Sequence, residues 1–176
     1  MGGFAFLAKQ RGFDVTGIEL SSEQCEIAKE VFGIDLLNIN IFNIRDSIGK
    51  FDIIHLHHVM EHLTSPSEMF EIISRLLDDN GILLIEVPYQ LGKMQDSIKK
   101  RKKKNVKFNI DHLYFFSPVT LKKYIHKYGF EVIEFNQSRN RQRKKILSAP
   151  KNIFHKIADS FMIPSGSFLE FYCRKI

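Results

Sequence analysis

The chain has 176 residues, long enough for one domain with a real core. Apolar residues make up 44% and charged residues 26%, the balance of a folded globular protein, which argues against a disordered chain. No apolar run approaches the ~20 residues that span a bilayer, and the N-terminus has neither a basic stretch nor a long apolar one, so no membrane span and no secretory signal are expected.

The formal charge is +6, but it is concentrated. Lys99 to Lys107 holds seven Lys or Arg and no acid, and Arg139 to Lys145 holds five more. The rest of the chain carries 14 basic residues against 20 acidic ones. Such runs are solvated loops or contacts for an anionic partner: a phosphorylated small molecule, a membrane surface or a nucleic acid. Aromatic residues interleaved with the charges would favour nucleic acid. Phe108 stands almost alone, so nucleic acid is the least favoured of the three. Cys25 and Cys173 lack metal or redox spacing and read as free thiols of a reducing cytoplasm.

Taken in order, Gly2 to Gly12 reads as a short helix closed by Gly12, with Gly2 and Gly3 at its N-terminus, where bare N–H groups suit an anion or polar ligand. Asp14 to Leu20 reads as a buried strand ending in Glu19, a carboxylate placed to bond a ribose diol. Ser21 or Ser22 caps the next helix, whose inner face is Ile27, Ala28 and Val31, and Gly33 ends it. Ile34 to Asn38 is a further strand, with Asn38 to Phe42 as its exit loop.

The central unit is Phe51 to Pro88. Phe51 to Leu56 is a buried strand. Ser65-Pro66-Ser67-Glu68 opens a helix, with Ser65 at N-cap, Pro66 at the first helical position and Glu68 completing a capping box. Phe70, Ile73, Leu76 and Leu77 make its apolar face, and Asn80-Gly81 stops it, Gly81 supplying a positive φ. Ile82 to Val87 is a strand covered on both faces, so the unit is a parallel strand–helix–strand motif. His57, His58, Glu61 and His62 fall at the carboxyl end of its first strand, where open parallel sheets bind ligands.

Residues 92–109 read as a long loop carrying the lysine run. Ser117-Pro118 opens another helix, with Leu121, Tyr124, Ile125 and Tyr128 on one face, and Gly129 ends it. Phe130 to Phe135 alternates as a strand near a sheet edge does, Pro150 to Met162 reads as an amphipathic helix, and Phe168 to Cys173 is a last strand beside the previous one.

The order of these segments resembles class I S-adenosylmethionine-dependent methyltransferases, of the small-molecule methyltransferase-domain type. Phe51-Asp52-Ile53-Ile54 with Val59-Met60-Glu61-His62-Leu63 is similar to the family's fourth motif. Leu76-Leu77-Asp78-Asp79-Asn80-Gly81 resembles its turn before the fifth strand. Asp111-His112-Leu113, Phe116-Ser117 and Gly129-Phe130-Glu131-Val132 resemble its C-terminal signature. The resemblance covers nearly the whole chain and implies one α/β domain over residues 1–176: a Rossmann-like three-layer sandwich, mostly parallel, with an antiparallel C-terminal strand.

It further implies S-adenosylmethionine as cofactor, with Gly2, Gly3, Glu19, Leu20, Asn40, Ile41, His57 and His58 on the cofactor side. Met1-Gly2-Gly3 resembles only the tail of the family's glycine loop, so the first strand is missing and weak or no cofactor binding is expected of this chain alone. The implied reaction is methyl transfer to O, N or C of a small acceptor, sugar- or lipid-linked and anionic in view of the basic runs. The alternative is a remnant that binds partners through those runs. Candidate proton acceptors are His62 and His112, with Glu61 beside them, because imidazole titrates near neutrality. His62 could instead be a helix-entry residue bonded to backbone. His58, Glu61 and His62 could also present three metal ligands, a set suited to zinc or nickel, but with no fourth ligand no metal is predicted.

Overall fold

A computed structural model describes residues 2–89, 111–138 and 168–176. The lysine run of the 92–109 loop, the Arg139 to Lys145 run and the Pro150 to Met162 helix lie outside the described residues. The described chain falls into two compact units, residues 2–45 and residues 46 onward. No described helix is long and apolar enough to cross a membrane.

The first unit holds α1 (Gly3–Gln10), β1 (Ile18–Glu19), α2 (Ser22–Phe32) and β2 (Leu37–Asn38). Gly2 precedes α1 in a left-handed conformation, and a Cβ on it would stand 2.7 Å from the Ala28 side chain. Both its φ of 42° and its contact with α2 therefore require glycine. The Phe6 and Phe32 rings, 5.6 Å apart, join the two helices. Ser21 caps α2 by accepting from the Gln24 N–H, and Gly33 closes it at φ 65°. The expected strands over 14–20 and 34–38 shrink to two residues each, paired in parallel as Ile18 with Leu37 and Glu19 with Asn38. Among the described strands β1 pairs with β2 alone.

The second unit holds β3 (Phe51–His57), α3 (Pro66–Leu76), β4 (Leu77–Pro88), α4 (Pro118–Lys127), β5 (Phe130–Ser138) and β6 (Phe168–Lys175). Its sheet has the order β3-β4-β6-β5. β3 and β4 run parallel, as a strand–helix–strand crossover requires, and β6 lies antiparallel between β4 and β5. The last strand thus sits beside the previous one, and among the described strands β5 lies at the sheet edge, as its alternation suggested. α3 buries Met69, Phe70, Ile72, Ile73 and Leu76. Phe70 stacks on Tyr128 at 5.3 Å and meets Phe130 at 6.0 Å, tying α3 to the end of α4 and the start of β5.

Two local expectations fail, each for a backbone reason. Ser65 makes no side-chain cap, because its ψ of 80° turns the hydroxyl from the first amides. Ser117, at ψ 159°, caps α4 and forms a reciprocal box with Thr120. Gly81 does not end α3 with a positive φ, since the helix passes straight into β4 at Leu77. The Asp78 carboxylate accepts from the Asn80 N–H, which carries the strand through a bulge. Gly81 is needed there for space: a Cβ would lie 2.8 Å from the Leu77 side chain and 2.9 Å from the Asp78 carbonyl.

Candidate active site

In the first unit, Glu19 ends β1 and its carboxylate accepts the Ser21 N–H at 3.0 Å. The Asn38 side-chain amide donates to the Glu19 and Leu20 carbonyls at 3.1 and 2.9 Å, which fixes the strand end. Leu20, the next residue, is 69% exposed, unusual for a leucine in a folded unit. Asn40 caps a 3-10 turn at Ile41–Asn43 by accepting the Phe42 N–H. The carboxyl ends of β1 and β2 therefore present Glu19, Leu20, Asn40 and Ile41 on one rim of the unit. Gly2 and Gly3 stand at the start of α1.

In the second unit, the strand register places His57 of β3 opposite Glu86 of β4. Glu86 takes up two rings: its Oε1 lies 3.3 Å from His57 Nδ1 and 3.2 Å from His58 Nε2. The other nitrogen of His58 lies 3.2 Å from Glu61 Oε1, so the ring bridges two carboxylates. Burial alone would lower the His58 pKa, but the hydrogen bonds and charges of Glu61 and Glu86 outweigh it and lift the group to about 9. Burial lowers His57, against the pull of Glu86, and pushes His55 deeper in the strand down to about 4. His58 adopts φ 53°, a strained position for a residue other than glycine.

Beyond His58, Met60–His62 form a 3-10 turn that buries Glu61 to 1% exposure. The Glu61 carbonyl accepts the Leu113 and Tyr114 N–H groups at 2.8 and 3.1 Å, which draws the segment after residue 110 against the turn. His112 is carried with it, and the His62 and His112 rings meet edge to face at 4.8 Å. His62 Nδ1 bonds the Asp111 carbonyl at 2.9 Å. His62 is thus bonded to backbone, but to a segment 49 residues away rather than to its own helix. A carbonyl only accepts, so Nδ1 carries a proton, and Nε2 faces Glu61 Oε1, 3.8 Å off. Burial, opposed by Glu61, lowers the His112 pKa.

The three catalytic candidates, Glu61, His62 and His112, therefore come together across a long chain separation. The metal grouping differs from the sequence expectation: Glu61 and His62 gather with His112, while His58 gathers with His57 and Glu86. Glu86 is absent from the sequence reading. Its signal was there, since it is the one charged residue in the apolar run Ile82 to Val87.

A family model described as a methyltransferase domain matches residues 1–135. No curated protein matches the chain by sequence. Among solved structures, the fold is similar to a proposed methyltransferase from Bacillus halodurans, at 14% identity and a TM-score of 0.68, covering 99% of this chain and 88% of that one. It is also similar to a SAM-dependent methyltransferase from Archaeoglobus fulgidus, at 15% identity and a TM-score of 0.64, covering 98% and 80%. The N-methyltransferase NodS from Bradyrhizobium japonicum, solved with S-adenosylhomocysteine, gives 13% identity and a TM-score of 0.64, covering 99% and 72%. Likeness at these identities establishes the fold, and the family match covers most of the chain. The chain belongs to the methyltransferase-domain family and has the α/β fold of the S-adenosylmethionine-dependent enzymes.

Proposed function

We propose that this domain transfers the methyl group of S-adenosylmethionine to O, N or C of a small anionic acceptor, sugar- or lipid-linked. One observation carries the reading: in a chain of this family, Glu61, His62 and His112 converge at the carboxyl end of β3. When bound, S-adenosylmethionine supplies an electrophilic methyl on a sulfonium. The residues of the first unit suit its nucleoside part. Glu19 ends a strand with a carboxylate for the ribose diol, and Leu20 beside it presents exposed apolar surface for the base. Gly2 and Gly3 offer backbone N–H groups at the start of α1.

In the second unit, His62 and His112 take the proton of an acceptor O–H or N–H as the methyl arrives. Asp111 fixes the His62 tautomer, and Glu61 lies beside the ring to stabilise the imidazolium that forms. The basic runs, seven and five cations, favour an acceptor with phosphate or carboxylate groups. Peripheral membrane contact through them fits a lipid-linked acceptor.

The test is incubation of the chain with methyl-labelled S-adenosylmethionine, at concentrations high enough for weak binding, and small-molecule extracts resolved by anion exchange. Label is expected in the anionic fraction. Label in neutral compounds alone would remove the anionic acceptor. No label in any fraction would favour a partner-binding role for the basic runs.

A further inference from the structure

We infer that Glu61, His62 and His112 form a site for a divalent ion of the zinc class. One ligand atom from each lies within 4.8 Å of the others. Two imidazoles and a carboxylate are a donor set for borderline first-row ions rather than for magnesium or calcium. His62 Nδ1 donates to the Asp111 carbonyl at 2.9 Å, which turns Nε2 toward Glu61, 3.8 Å from its Oε1 and too far for a hydrogen bond. Glu61 Oε1 already meets His58 Nδ1 at 3.2 Å, so the carboxylate oxygen left for an ion is Oε2.

A second observation points the same way. Glu61 is 1% exposed, and its Oε2 has no hydrogen-bond partner. A buried carboxylate oxygen left unpaired carries its full desolvation cost, and a bound ion offsets it. The shell behind the ligands is in place. The Asp111 carbonyl orients His62, and two backbone N–H groups on the Glu61 carbonyl hold the His112 segment to the turn. The side chain of His62 is 41% exposed, so an ion has a way in. The neighbouring group of His57, His58 and Glu86 has no orphaned buried oxygen among the described residues, and Glu86 there meets both rings at hydrogen-bond distance.

Three protein ligands leave a coordination position open, where an acceptor oxygen would be held and its proton made more acidic; with an ion bound, His62 and His112 act as its ligands and not as proton acceptors. In that respect the inference rests on the proposed function, whereas ion binding itself does not. The test is titration of the chelator-treated 176-residue chain with Zn²⁺, and with Co²⁺ followed by its visible absorption. Saturation near one ion per chain is expected, weakened at least about tenfold in His112→Ala and Glu61→Gln and unchanged in His57→Ala. Far-UV circular dichroism checks each variant's fold. His112 lies in an irregular segment, so its variant remains informative if Glu61→Gln fails to fold. No saturable binding, or binding that His112→Ala leaves intact, overturns the inference, and loss in His57→Ala alone moves the ion to the other group. Ion binding without methyl transfer would leave this site standing and sink the proposed function. Methyl transfer without ion binding would do the reverse.

Discussion

The two units are built from similar elements with different depth. Among the described residues of the first, two-residue strands carry two helices, and the buried apolar side chains are Ala5, Ala8, Ala28, Ile34 and Ile44. In the second, strands of seven to twelve residues bury Phe70, Phe130, Phe171, Leu83, Ile85 and Leu169 completely. Burial of apolar area is the main source of folded-state stability, so among the described residues the second unit holds most of it. The difference also sorts the chemistry. Residues assigned to the nucleoside stand on short strand ends, while Glu61 and its histidines are anchored to a dense core.

Truncating an aromatic in each unit tests that asymmetry most strongly. Phe130→Ala removes a fully buried ring and is expected to cost about 3–5 kcal/mol in denaturant unfolding. Phe6→Ala removes a partly exposed ring and is expected to cost less than half of that. Equal costs would break the comparison.

The two capping serines give a smaller contrast inside the second unit. Ser117→Ala loses a formed box and is expected to cost about 1 kcal/mol. Ser65→Ala has no cap to lose and should leave the midpoint almost where it was. A cost for Ser65→Ala matching that of Ser117→Ala would show that a cap forms there after all.

The smallest effect is chemical. Cys173 is buried in β6, and burial pushes its thiol up to about 12, whereas Cys25 is half-buried in α2. A disulfide reagent at neutral pH should react with Cys25 well before Cys173, which would follow only on unfolding. Equal rates would mean that the second unit opens as readily as the first.

Much of the second unit could be read from sequence because its signals are local. The apolar run of β3, the Pro66 start of α3, the Ser117-Pro118 start of α4 and the alternation of β5 each act within a few residues. What was missed depends on tertiary pairing. Glu86 meets His57 only through the β3–β4 register. His112 reaches His62 only because the Glu61 carbonyl collects two amides from the segment beyond residue 110. Gly81 suggested a helix stop, but strand pairing at Leu77 took the chain first. The first unit was overcalled: its apolar residues suggested longer strands, yet only two pairs close.

The central claim is that Glu61, His62 and His112 are the reacting end of a methyltransferase. The most direct measurement is the single-turnover rate of methyl transfer to the acceptor that takes up label, for the unmodified chain and for His112→Ala. The rate is predicted to fall by roughly 10²-fold or more, with the concentration of S-adenosylmethionine needed for half-saturation unchanged. An unchanged rate, or a loss confined to that half-saturation concentration, would contradict the account.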